Sequence, residues 1–202
     1  PLVLDLGLVR ARIDLIGDIH GHADELEALL RKLGYAEQNG AYAHPAKHQV
    51  IFLGDYIDRG PAIRRVLQVV KAMVDAGNAV ALMGNHEYNA LCYHTPDGKG
   101  GHLRPHTGEK LKQHAETLAQ FKDDGTSWSK YLDWFRTLPL WFETEHFRAV
   151  HACWDPDHIT LLKREVGPAG FTAELLHRCT LHDTPLFTAL EETLKGKELE
   201  LP

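Results

Sequence analysis

Short apolar runs alternate along this chain with segments whose apolar residues recur every three or four positions. The run Arg12-Ile13-Asp14-Leu15-Ile16 predicts a short strand that stops at Gly17. Leu26, Leu29, Leu30 and Leu33 follow at helical spacing, with Asp24 and Glu25 near the start and Gly34 past the end, the polarity expected of a helix start and stop. Val50-Ile51-Phe52-Leu53 is a continuous apolar run, as in a strand covered on both faces. Pro61 opens a second helical stretch through Ile63, Val66, Leu67, Val70 and Val74, closed by Gly77. Val80-Ala81-Leu82-Met83 then predicts a third strand ending at Gly84. This order of strands and helices predicts right-handed crossovers and a largely parallel sheet, an α/β architecture.

The periodicity breaks after Tyr93. Thr95 to Gly108 holds four glycines, two prolines, His102 and His106; this is a long loop, and such loops are often functional. Glu109 to Phe121 and Ser127 to Leu138 predict helices, Phe147 to Val150 a fourth strand, and Phe171 to His177 and Leu186 to Leu194 further helices.

Composition narrows the function classes. Of 202 residues, 44% are hydrophobic and 25% charged, which supports a packed core and fits neither disorder nor a membrane class. No apolar run reaches the ~18 residues of a membrane span. A net charge of -6 argues against stable nucleic-acid binding, which needs a basic face. Three cysteines do not make a disulfide framework, so a reducing, cytoplasmic setting is expected. The chain starts at Pro1 without a signal-peptide pattern, and it is read as one domain over residues 1–202. Its composition leaves the oligomeric state open. It also holds 14 histidines.

Three of the four strands end alike: Gly17-Asp18-Ile19-His20-Gly21, Gly54-Asp55-Tyr56-Ile57-Asp58-Arg59-Gly60 and Gly84-Asn85-His86-Glu87, with His151 after the fourth. In parallel α/β sheets this edge binds ligands. One edge therefore collects Asp18, His20, Asp55, Asn85 and His151. Any one such turn is ordinary turn chemistry; their repetition at successive strand ends points to metal. Mixed Asp, His and Asn ligands suit manganese or iron, with zinc as an alternative, rather than calcium. Asp55 is central enough to bridge two ions, and two metals roughly 3.5–4 Å apart are a standard device for hydrolysing phosphate esters.

The trio GDIHG, GDYIDRG and GNHE resembles the signature of calcineurin-like metallophosphoesterases of the phosphoprotein phosphatase group, from Ile13 to about Asp155. That group includes serine/threonine phosphatases and bacterial symmetrical diadenosine tetraphosphatases, and this chain looks most like the diadenosine tetraphosphatase and PrpE-like branch. The resemblance implies a β-sandwich flanked by helices. It also implies hydrolysis of phosphate esters or anhydrides, in a phosphoprotein or a dinucleoside polyphosphate, by a hydroxide activated between two divalent ions. Asp18 and His20 correspond to ligands of the first metal, Asp55 to the bridge, and Asn85 and His151 to ligands of the second. His86 corresponds to the general acid, Asp58 to the carboxylate that orients it, and Arg59 to the group that grips phosphate.

One departure stands out. The family carries a further histidine, and a second arginine, on a later strand. None of His158, His177 and His182 follows a convincing strand and turn, so these residues are expected beyond Pro202. The main rival reading is a non-catalytic metal- or nucleotide-binding domain of the same fold. Among the remaining residues, His22 is expected to be exposed or near the site, and His114 and His177 to lie on the surface or in the core. Cys153 is read as buried, and Trp128, Trp134, Trp141 and Phe142 as core rather than a base-stacking platform. The loop residues His102, Arg104 and His106 are either solvated or face substrate.

Overall fold

The computed structural model describes residues 12–197; the Leu199–Pro202 end lies outside them. Its organising sheet has three parallel strands, β1 (Ile13–Ile16), β4 (Gln49–Phe52) and β5 (Ala79–Ala81), in the order β1-β4-β5. Leu15 pairs with Ile51, and Ile51 with Val80. Helix α1 (Ala23–Lys32) and the antiparallel hairpin β2–β3 (Ala36–Gln38, Ala41–Ala43) connect the first two of these strands; α2 (Ile63–Asp75) connects the last two.

Alternation along the strands sorts the side chains into two layers. Ile16, Val50, Phe52, Ala79 and Ala81 join the main core with Leu26 and Leu30 of α1 and Val66, Leu67, Val70 and Met73 of α2. Ile51 and Leu82 face the other way and meet Phe142 and Ala149 of a second antiparallel hairpin, β6 (Trp141–Glu143) and β7 (Arg148–Val150). This hairpin meets the second face of the parallel sheet through those four side chains. Met83 extends the parallel sheet toward it by donating its N–H to the Pro139 carbonyl at 2.9 Å. On the same face Leu15 stays 54% exposed.

The remaining helices are α3 (Asn85–His94), α4 (Gly108–Phe121), α5 (Gly125–Phe135), α6 (Pro156–Val166), α7 (Ala173–Cys179) and α8 (Pro185–Lys195). The long loop between α3 and α4 contains only the isolated bridge Pro96–His102. Trp128 and Phe142 are buried, and Trp134 and Trp141 pack partly buried against the core, as expected of core aromatics. Cys153 departs from expectation: it is half-exposed, because it lies in the turn between β7 and α6 rather than on either element. No helix among the described residues is long and apolar enough to cross a membrane.

Candidate functional site

Three loops leave the carboxyl ends of β1, β4 and β5 and are laced together by their backbones. His20 N–H donates to the Asp55 carbonyl at 2.8 Å and Gly21 N–H to the Tyr56 carbonyl at 2.9 Å. The loops approach so closely that side chains are excluded at two points. A Cβ on Gly54 would stand 2.5 Å from the backbone of Gly84, and one on Gly60 would overlap the His20 carbonyl. Five functional candidates adopt left-handed backbone: Asp18 (φ 52°), His20 (42°), Asp55 (58°), Asp58 (67°) and Arg59 (66°).

Buried Glu87, in the first turn of α3, holds the second and third loops in register. Its carboxylate accepts from the N–H groups of Gly84 (3.0 Å), Asp55 (2.9 Å) and Tyr56 (2.8 Å). Burial and the nearby Asp55 push its pKa up to about 7, while the amide donors pull the other way by favouring the charged form.

The five residues read as ligands converge. Asp55 belongs to two groups of metal-competent atoms, one with His20 and His86 and one with Asp18 and His151. His20 Nε2 lies 3.4 Å from Asp55 Oδ2, and His151 Nε2 lies 3.6 Å from Asp55 Oδ1. Asn85 Oδ1 stands 3.1 Å from His151 Nε2 and 3.1 Å from both Asp55 oxygens.

The far side of each imidazole decides its chemistry. His20 Nδ1 donates to the Ile57 carbonyl at 2.9 Å, His151 Nδ1 to the Leu53 carbonyl at 2.6 Å and His86 Nδ1 to Asp58 Oδ2 at 2.6 Å. With the proton held on Nδ1, the neutral ring turns the Nε2 lone pair into the site. Lone pairs from His20, His151, Asn85 and the Asp55 carboxylate then face one another. A divalent cation satisfies such a set; in its absence the Asn85 amide would turn end for end and donate to Asp55. The donors therefore fit a metal of the oxygen- and imidazole-binding kind.

Asp58 is held from every side. Its Oδ2 takes the His86 bond; its Oδ1 accepts from His114 Nδ1 at 2.7 Å and Thr117 Oγ1 at 2.6 Å, and its own N–H donates back to Thr117 Oγ1 at 3.1 Å. Burial alone would raise its pKa; the bonds from His114 and His86 outweigh burial and hold the carboxyl well below its usual range. His86 is also buried, which lowers its pKa, but Asp58 and Asp55 reverse the direction and the net shift is upward. Arg59 Nη2 lies 3.5 Å from His86 Nε2.

His114 and Thr117 were not singled out as functional in the sequence. One turn apart on α4, they share a helix face, but nothing local marks that face as meeting Asp58. Thr117→Val removes a buried hydroxyl that serves both the carboxylate and the backbone of Asp58. It is expected to cost about 1–3 kcal/mol and to lower Tm in a thermal melt; an unchanged Tm would show these bonds to be dispensable. His22 is exposed and His177 half-exposed. His158 faces Glu192 at 3.6 Å and His182 rests on the Phe187 ring; neither joins the Asp55-centred groups.

The calcineurin-like phosphoesterase family matches residues 11–183. The chain belongs to that family. Two relatives of this calcineurin-like phosphoesterase carry the name bis(5'-nucleosyl)-tetraphosphatase PrpE [asymmetrical]. That of Oceanobacillus iheyensis is 32% identical over 149 residues, 73% of this chain and 58% of its own length. That of Halalkalibacterium halodurans is 44% identical over 75 residues, 37% of this chain and 30% of its own. The chain thus spans between about three-tenths and three-fifths of the length of these two relatives. Among solved structures, a protein serine/threonine phosphatase from Saccharomyces cerevisiae, described as similar to human PP5, superposes with a TM-score of 0.53. It is 20% identical and covers 75% of this chain and 41% of its own, a likeness of fold.

Proposed function

We propose that this calcineurin-like phosphoesterase hydrolyses phosphate esters or anhydrides with two divalent ions, on dinucleoside polyphosphates or phosphoproteins. The observation that carries the reading is Asp55 standing between two sets of imidazole and carboxylate donors, with a buried His86–Asp58 pair alongside. By the family resemblance Asp18 and His20 would hold the first ion, Asn85 and His151 the second, and Asp55 both, although by distance Asp18 groups with His151 and His20 with His86. Manganese or iron suits this donor set best. When bound, the ions supply Lewis acidity, activating water and neutralising phosphate charge.

The chain's own residues do the rest. Asp58 keeps the His86 proton on Nδ1 and favours the imidazolium, so Nε2–H can be delivered to the departing oxygen. His114 and Thr117 keep Asp58 ionised and fixed, so its second oxygen cannot compete for the His86 proton. Arg59, beside His86 Nε2, offers a planar fork to phosphate oxygens. Buried His86–Asp58 geometry of this kind counts against the rival non-catalytic reading, since binding alone needs no acid held at the mouth of the site.

The test is turnover of a chromogenic phosphoester and of diadenosine tetraphosphate during manganese titration. Manganese-dependent turnover that a chelator removes and re-added metal restores is expected. Metal-independent turnover, or none across a panel of divalent ions, would overturn the reading.

A further inference from the structure

The chain carries a net charge of -6, yet two cations that form no ion pair among the described residues lie beside Asp58 on one side of His86. Arg104 and Lys110 line a small cleft there with Asp58, His86, Asn89 and Gln113. Arg31, Arg64, Arg65, Arg148 and Arg178 each meet a carboxylate. Arg104 does not. Its Nη1 donates to Asn89 Oδ1 at 2.7 Å and its Nη2 to Gln113 Oε1 at 2.7 Å. Asp58, Glu191 and Glu109 act on it only through space, and both oxygens of Asp58 are already engaged by His86, His114 and Thr117.

A half-buried guanidinium with two neutral partners loses hydration and gains only the through-space field of more distant carboxylates. Of its five N–H donors, the two amide oxygens engage two and set its direction. The loop that carries it is fixed. Leu103 N–H donates to the Thr95 carbonyl at 2.9 Å and Arg104 N–H to the Cys92 carbonyl at 3.0 Å. His106 stacks on Tyr93 at 3.7 Å between ring centroids, and His102 stacks on His106 at 4.2 Å. Oriented, pinned and in no ion pair among the described residues, this cation is arranged for an anion from outside the chain.

We propose that Arg104, with Lys110, forms a second phosphate subsite that takes the neighbouring phosphoryl group of a polyphosphate chain. The reacting phosphoryl group would then lie at Asp55, Arg59 and His86. This rests on the phosphoesterase reading and chooses between the substrate classes it left open: compounds with anhydride-linked phosphates, such as nucleoside or dinucleoside polyphosphates, in preference to esters bearing a single phosphate. The single phosphate of a phosphoserine would leave Arg104 without its anion.

The experiment compares wild type with Arg104→Gln, which keeps a polar side chain without charge. The kcat/KM for diadenosine tetraphosphate is expected to fall roughly 10–100-fold more than that for p-nitrophenyl phosphate, the range of one charge-assisted hydrogen bond. Independently of turnover, chelator-treated protein is titrated calorimetrically with inorganic tripolyphosphate and with phosphate. Tripolyphosphate should bind more tightly than phosphate in wild type, and Arg104→Gln should remove the difference. Equal losses on both substrates, or tripolyphosphate bound no more tightly than phosphate, overturns the subsite. If wild type turns over no phosphoester, the phosphoesterase reading fails, while the titration still decides the subsite. Should Arg104→Gln fail to fold, Lys110→Gln carries the same comparison.

Discussion

Asp55→Asn is expected to remove turnover and to weaken both metal positions together. One carboxylate faces His20 through Oδ2 and His151 through Oδ1, with Asn85 3.1 Å from both oxygens, so its charge serves both groups. The substitution keeps the shape, and an amide oxygen can still accept the His86 N–H that now donates to Asp55 Oδ1 at 3.1 Å. What disappears is a negative charge amid imidazoles. If the ions contribute several kcal/mol of transition-state stabilisation, the rate should fall by about a thousandfold or more. Metal titration by calorimetry should show both affinities reduced; two ions retained at unchanged affinity would exclude a bridging role. Asn85→Ala, by contrast, should disturb mainly the position shared with His151.

His86→Asn is expected to cut the rate by about 10²–10⁴-fold, the share of a positioned general acid. The structure sharpens this test, because His86 Nε2 lies 3.9 Å from Asp55 Oδ2 and groups with His20 as well. An acid and a ligand make opposite predictions. As an acid, its loss leaves metal content intact and costs less on nitrophenyl than on alkyl esters, since a good leaving group needs little protonation. As a ligand, its loss removes metal and penalises both esters alike. Metal content and the leaving-group dependence of the rate, measured on the same variant, separate the two.

The sheet and its connecting helices were legible because their signals are local. Val50 to Leu53 is apolar throughout, and the apolar face of α2 repeats at helical spacing. Helix α3 was hidden because Tyr88, Ala90, Leu91, Cys92 and Tyr93 are buried on nearly every side, which erases the one-sided pattern. The β2–β3 hairpin and α6 were legible in principle. The first turns at Asn39-Gly40, a strong short-range hairpin signal. The second begins at Asp155-Pro156, where the Asp155 carboxylate caps the helix start. At the site, Asp18, His20, Asp55 and Asn85 were legible because each follows a parallel strand whose end a glycine marks, whereas His151 follows β7 of the separate antiparallel hairpin and not a fourth strand of the same sheet edge. His114, Thr117 and Glu87 were not marked as site residues. His114 and Thr117 act through contacts 56 and 59 positions away in the chain, and only the folded loops bring those together.

The left-handed turns at Asp18, His20, Asp55, Asp58 and Arg59 put this edge of the sheet at odds with the fold's own stability. Each non-glycine residue held there costs of order 1–3 kcal/mol when nothing local relieves it, and five of them lie in two short loops. Optimising the chain for thermal resistance alone would favour glycine or asparagine at these positions, thereby dismantling the site. Heat tolerance and chemistry therefore pull on the same few backbone angles. Engineering for robustness would have to gain its margin elsewhere, for instance beneath Leu15 or along the helix surfaces.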